Sequence, residues 1–286
     1  MLRNILRARN AHIIFHMSLP KLHQACFDGR LTDMITLIEA GANIHERCID
    51  GDTLLHIACE RGNVRIVQEL IDRKADVFAL NRNGSTSLHI ASVCGRTDVA
   101  LVLIDRGIDV NVKNWNGSSP LHLAILSRVT ETVSALIDRG ANIFSCNSDG
   151  FCPLHYAILH GTRDILCTLI DRGANVNARF HHGHTPLHIA VRHGEVDLIL
   201  PLIDAGADMN AKDHIGSTPL HMVCYMRCHQ KQLTAFRSFI SRGADIYAMD
   251  NLNRTPIQCC RRNMLKKQIY SFIHYYTKQS FITQFY

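Results

Sequence analysis

The residues that could do chemistry in this chain are imidazoles and thiols: 18 histidines and 11 cysteines in 286 residues. Imidazole is a common metal ligand and a general base near neutral pH, and a thiolate is a nucleophile or a zinc ligand. His181, His182, His184 and His193, with His160 and His214, crowd one stretch and are the natural candidates for a surface metal site. No cysteine or carboxylate beside them completes a recognised ligand spacing. Cys224, Cys228, His229, Cys259 and Cys260 form a second group, but their gaps match neither a zinc ribbon nor a finger. There is no Gly-x-Ser-x-Gly, no P-loop, no Gly-rich dinucleotide loop and no His-Glu-x-x-His. The chain is therefore expected to have no catalytic residues, no resident metal and no cofactor, and not to be an enzyme.

Seven further histidines obey a rule. His23, His56, His89, His122, His155, His188 and His221 each follow a Leu, and each lies 33 positions from the last. Gly51, Gly84, Gly117, Gly150, Gly183 and Gly216 keep the same step. So strict a period means one supersecondary unit copied many times, each copy burying its apolar face only against its neighbours. The Asp-Arg pairs at 72/73, 105/106, 138/139 and 171/172 also recur once per copy. They read as a solvated face with helix-end electrostatics and not as paired catalytic groups.

Residues 182–214 show what the unit is. Thr185-Pro186 starts a helix, since Thr can cap free N–H groups and Pro fits the first turn. Leu187, Ile189 and Ala190 give that helix one apolar stripe, and Gly194 stops it in a left-handed conformation. Val196, Ile199, Leu202 and Ile203 mark a second helix, which Gly206 ends. The polar segment from Asp208 to His214 leads into the next copy as an extended turn.

The signature Thr218-Pro219-Leu220-His221 recurs as Ser119-Pro120-Leu121-His122 and Cys152-Pro153-Leu154-His155. Thr53-Leu54-Leu55-His56 and Thr86-Ser87-Leu88-His89 depart from it at the Pro. Downstream, Ala141-Asn142-Ile143, Ala174-Asn175-Val176-Asn177 and Ala207-Asp208-Met209-Asn210 match one another. This signature and its period resemble the ankyrin repeat. The resemblance implies an all-α ankyrin-repeat solenoid, with a helix–turn–helix and a hairpin loop in each 33 residues. It also implies that the recurring His hydrogen-bonds within and between copies, and that hairpin tips and inner helices contact a protein partner.

Six clear copies are expected, at 50–82, 83–115, 116–148, 149–181, 182–214 and 215–251, with a degenerate first copy near 17–49. The array of about seven copies thus spans 17–251. Residues 1–16 form a basic leader or N-terminal cap, and 252–286 a degenerate capping repeat with an aromatic tail. The copy at 215–251 has four extra residues within Cys224 to Phe236, which should lengthen a helix or the loop between helices. Lys74 and Arg128 stand where other copies have Gly, and Pro201 should kink a second helix.

The register sorts partner-facing positions into rows. The tip row is Ile49, Arg82, Trp115, Ser148, His181 and His214. The row just after each marker Gly is Asp52, Ser85, Ser118, Phe151, His184 and Ser217. One inner-helix row is Glu60, Val93, Leu126, Leu159, Arg192 and Tyr225, with Arg61, Cys94, Ser127, His160, His193 and Met226 beside it. All are expected to face solvent on the concave side, where apolar residues signal use. Trp115, Phe151, Leu126, Leu159, Val93, Arg82, His181, His184 and Tyr225 are the candidate partner-binding residues. Trp115 and Phe151 lead, because aromatic anchors dominate interface energetics.

Charge bounds the partner. Residues 1–27 contain Arg3, Arg7, Arg9 and Lys21 and no acid; residues 252–286 contain six cations and no acid. All 25 acids lie between, so no basic stripe runs along the array and nucleic acid is not an expected partner. Nor is a small-molecule substrate. No apolar run is long enough to span a membrane. With no clear secretory leader and many unpaired thiols, the cytoplasm is the expected location, with the nucleus as alternative. Residues 1–16 could also serve as a targeting peptide. Ile269, Phe272, Ile273 and Tyr276 are spaced for a closing helix, and the tail from Phe281 to Tyr286 could fold back or be read by another protein. The function expected is a non-catalytic protein-interaction scaffold. The alternative is a substrate-recognition or targeting adaptor of an enzyme complex that docks through its basic aromatic C-terminal cap.

Overall fold

The computed structural model describes residues 20–160, 162–226, 228–260 and 266–271. The leader 1–16 and the tail from Phe281 lie outside them, as do Phe272, Ile273 and Tyr276 of the expected closing helix. Ile269 lies in the helical stretch 266–271 and is buried. The chain divides into two compact units between Asp149 and Gly150.

Helices come in pairs. In the first unit the first helices are Lys21–Phe27, Leu54–Arg61, Ser87–Val93 and Pro120–Ser127; the second helices are Leu31–Glu39, Val64–Asp72, Thr97–Asp105 and Thr130–Asp138. In the second unit the first helices are Pro153–Leu159, Pro186–His193, Pro219–Val223 and Pro256–Cys259; the second helices are Arg163–Asp171, Ile199–Asp204 and His229–Ile240. Within each unit a first helix packs on its own second helix and on the first helix of the next copy. Among the described residues the extended pairing is a single antiparallel bridge between Arg47 and Thr53.

The sequence explains both helices. A Leu and an Ala three residues apart share one helical face. Leu55/Ala58, Leu88/Ala91, Leu121/Ala124, Leu154/Ala157 and Leu187/Ala190 are all buried. The small Ala lets neighbouring first helices approach closely. The second helices bury triplets such as Ile66, Val67 and Leu70 or Ile165, Leu166 and Leu169. Truncating any of these leucines to Ala costs about 2–5 kcal/mol.

Lys74 and Arg128 do adopt the left-handed turn, at φ 66 and 62°. The Lys74 N–H donates to Ile71 O and the Ala75 N–H to Leu70 O, so the turn ties off free helix-end carbonyls whatever residue fills it. Around Pro201 the second helix splits. A 3-10 turn at Val196–Leu198 precedes an α-helix that starts at Ile199. Starting late places Pro201 in the first helical turn, where a backbone N–H has no helical acceptor anyway. In the long copy the second helix grows to 12 residues while the first shrinks to 5. Phe236 and Phe239 on the longer helix are fully buried.

The recurring Asp and Arg do more than line a solvated face. Arg73 pairs with Glu39 of the preceding copy at 3.1 Å, Arg106 with Asp72 at 3.0 Å, and Arg139 with Asp105. Arg242 pairs with Asp204 in the second unit. Each pair is exposed and contributes roughly 0.2–1 kcal/mol, so these are register marks more than girders.

Candidate functional site

The recurring histidines are the first candidates for chemistry, and their geometry removes them from it. The backbone N–H of the residue before each helix donates to the His Nδ1 three positions on. This holds for Thr53/His56, Thr86/His89, Ser119/His122, Cys152/His155, Thr185/His188 and Thr218/His221, at 3.1–3.3 Å. An N–H can only donate, so Nδ1 is the acceptor and Nε2 carries the proton. Nε2–H then donates to a carbonyl of the next copy: Ser85 for His56, Ser118 for His89, Ser217 for His188, each at 3.0 Å. Burial pushes His89 and His188 down to about 4. A neutral ring with both nitrogens engaged is neither a general base nor a free metal ligand. In the first copy Pro20 occupies the cap and has no N–H, so the buried His23 lacks that bond.

The hairpin tips are held rigidly. Each tip residue lies on the marker Gly at the start of its own copy: Arg82 on Gly51, Trp115 on Gly84, Ser148 on Gly117, His181 on Gly150 and His214 on Gly183. A β-carbon on Gly84 would collide with the Trp115 indole. The tips are also bonded to one another, Arg82 N–H to Asp50 O at 3.2 Å, Trp115 N–H to Asn83 O at 3.3 Å and Ser148 N–H to Asn116 O at 3.0 Å. The indole of Trp115 is 70% exposed although its backbone is fixed. Arg82 and His181 are exposed as well.

The row after the marker Gly does not face solvent. Ser85, Ser118, His184 and Ser217 are buried, because the chain turns back under the hairpin once it leaves the left-handed Gly. His184, expected at the partner surface, is 8% exposed and sits 3.5 Å from Asp213. Burial lowers its pKa against the pull of Asp213.

Phe151 is half-buried in an aromatic cluster, with ring centroids 4.4 Å from Phe180 and 6.3 Å from Tyr156. Phe180 causes this. At the same place in other copies Asn81, Asn114, Asp213 and Asp250 accept backbone N–H groups across the hairpin. Phe180 cannot accept them, so the hairpin tightens into a 3-10 turn at His181–Gly183, with His182 at φ 60°. Phe180 packs 4.8 Å from His155, whose buried Nε2 has no hydrogen-bond partner. Cys152 Sγ lies 2.8 Å from Nδ1 of that ring. Burial and His181 push His155 down to about 4, and its Nδ1 already accepts the Cys152 N–H.

On the inner helices Val93, Leu126 and Leu159 are half-buried and Tyr225 is 45% exposed. These four offer apolar area without protruding. A hydrogen bond to Cys259 raises the Tyr225 pKa. Cys259 belongs to the one three-ligand grouping among the described residues, His221, Asp250 and Cys259. Its lone pairs are already committed. Asp250 accepts from Leu252 and Arg254 N–H on Oδ1 and from the Arg254 guanidinium on Oδ2. Nε2 of His221 donates to Arg254 O at 2.9 Å. Of the second sequence group, Cys224 and Cys260 are hydrogen-bonded thiols inside the second unit and Cys228 is exposed. The crowded histidines do not converge on one point among the described residues.

One set of exposed residues escaped the sequence rows. Phe78, Leu80 and Phe144 are 62, 43 and 60% exposed on the flanks of the hairpins. They alternate with buried neighbours, a period-two signal that the helical register hides.

The family model described as ankyrin repeats (3 copies) matches residues 22–114 and 112–180, and the single ankyrin repeat model matches residues 182–214. No curated protein sequence matches the chain. Among solved structures it is similar to the ankyrin repeat domain of Bcl-3, described as a unique member of the IkappaB protein family. The identity is 28%, the match covers 78% of this chain and 99% of that one, and the TM-score is 0.69. No helix among the described residues is long and apolar enough to cross a membrane.

Proposed function

Because the chain belongs to the ankyrin repeat family, we propose that it is a non-catalytic binding module that holds a protein partner on its hairpin tips and inner helices. Trp115 carries the reading. A large indole left 70% exposed, on a backbone fixed by the tip-to-tip bond and with one edge seated on Gly84, keeps most of its area open to a partner. A preordered anchor loses little conformational entropy when a partner covers it. Arg82 adjoins it in the tip row and Val93 and Leu126 supply apolar area on the helices of the first unit, while His181, Leu159 and Tyr225 are the corresponding positions of the second unit. Phe151 contributes an edge of its cluster, and His184 acts only by supporting the hairpin from below.

Trp115→Ala should abolish capture of the partner from cell extract while leaving the circular dichroism spectrum and melting midpoint unchanged. An unchanged capture profile for that variant sinks the assignment. A second reading, a targeting adaptor, draws on Lys267 and Tyr270, both exposed on the helical stretch 266–271. Deleting 277–286 would then cost the complex and not the fold. The cytoplasm or nucleus suits the eleven unpaired cysteines.

A further inference from the structure

The flank of the hairpins in the first unit carries a run of exposed residues that is continuous with the tips at Arg82 and Trp115. Residues 45, 47 and 49, then 78, 80 and 82, then 113 and 115, then 144, 146 and 148 are exposed, while Ala79, Asn81, Asn114 and Asn147 between them are buried. The tip-to-tip bonds set these segments side by side. The exposed positions hold Phe78, Leu80, Trp115 and Phe144 together with Arg82 and Lys113, and no acid. Asp76 and Asp109 lie just upstream, and each uses a carboxylate oxygen on the N–H two residues on, at 2.9 Å.

Comparison between copies shows why the aromatics matter. Asn111 occupies the same place as Phe78 and Phe144. It donates to Gly140 O at 3.1 Å and accepts from Asn142 N–H at 2.7 Å, tying its copy to the next. Asn177 does the same with Gly206 and Asp208 in the second unit. A phenyl ring can make neither bond. Phe78 and Phe144 give up that tie and leave their rings in water, a loss for the isolated chain that a covering partner would reverse. Lys113 Nζ, which donates to Cys146 O at 3.0 Å, sets a cation beside Phe144 and Trp115.

We propose that this flank binds an extended, acidic, apolar-rich polypeptide segment. Its apolar side chains lie over Phe78, Leu80, Trp115 and Phe144, and its carboxylates face Arg82 and Lys113. The proposal rests on the binding-module reading and adds the partner's chemistry to it.

Trp115 is the single tryptophan of the chain, so its emission reports on the site directly. The full chain is titrated with three short synthetic peptides of alternating residues: Glu/Leu, Lys/Leu and Glu/Ser. The Glu/Leu peptide should shift the emission to the blue and saturate, with the other two weaker by about tenfold or more. The Phe78→Asn/Phe144→Asn double variant should lose about tenfold in affinity while its melting midpoint holds or rises, because Asn is what the tied copies use. Equal binding of Lys/Leu, no saturable shift with Glu/Leu, or an unchanged affinity in the double variant overturns the proposal. The peptide comparison on the unsubstituted chain decides the matter however the variant folds. A natural partner lost with Trp115→Ala but kept by the double variant, with no Glu/Leu binding, removes this surface and leaves the binding-module reading standing.

Discussion

Mild acid should dismantle this protein through its buried histidines. His89, His155 and His188 each titrate near 4 in the folded chain, against 6.5 when unfolded, because burial disfavours the imidazolium and a backbone N–H already points at Nδ1. The folded pKa lies below the unfolded one, so the unfolded chain binds more protons throughout that window. Stability is therefore fully present above the unfolded pKa, falls as the pH drops through the window, and stops falling below the folded pKa. At pH 5 each ring removes about 2 kcal/mol, and three remove about 6 kcal/mol, comparable with the whole stability of many domains. Burial moves His23 and His56 in the same direction. The assay is urea unfolding from pH 7.5 to 5, followed by far-ultraviolet circular dichroism and by Trp115 emission. Each 2 kcal/mol should lower the midpoint by about 1 M. His89→Gln is the control, since Gln258 fills the same cap position in the last copy and accepts the Thr255 N–H at 2.8 Å. That variant should lose close to one proton's worth of slope, about 1.4 kcal/mol per pH unit. A midpoint that is flat or rising as the pH falls to 5 would refute the reasoning.

Two substitutions test the backbone argument in opposite directions. Lys74→Gly relieves a left-handed side chain at φ 66° and should stabilise by about 1 kcal/mol, read as a raised melting midpoint. Gly84→Ala forces a β-carbon into the Trp115 indole at φ 68° and should cost about 1–2 kcal/mol while displacing the ring, read as a lower midpoint and a changed Trp emission.

How far the sequence alone reaches depends on whether a feature belongs to one copy or to two. The helix pairs, the caps and the left-handed turns at Lys74 and Arg128 are local, and the 33-residue register exposes them. The inter-copy role of the Leu-His histidines came from the family resemblance, and the geometry bears it out. The ion pairs from Arg106 to Asp72 and from Arg73 to Glu39 join copies, and a row of like residues does not say which neighbour each one touches. Phe151 is less exposed than its row implies for a related reason. Its setting is decided by Phe180, which replaces a hairpin Asn or Asp at the far end of the same copy, so a row that treats positions singly cannot foresee the cluster. The register gives spacing but not the direction in which a residue leaves a glycine turn, so it sets His184 at the surface although the side chain is buried. Phe78 stands out in the strand-like alternation of Asp76 to Arg82, and Phe144 holds the same place in a later hairpin, a period of two that the helical register masks. Nothing local in the four extra residues of the long copy says that the second helix should take them up and the first should shorten.

The imidazole bonds run one way along the chain. Each of His56, His89 and His188 finds its acceptor 29 residues further toward the C-terminus. A polypeptide emerging from the ribosome thus completes no copy of this kind until the following hairpin has appeared, and synthesis stays about one unit ahead of closure. A premature stop just after such a helix pair would strand a buried donor with nothing to meet it, which makes the downstream neighbour the checkpoint for the copy before it.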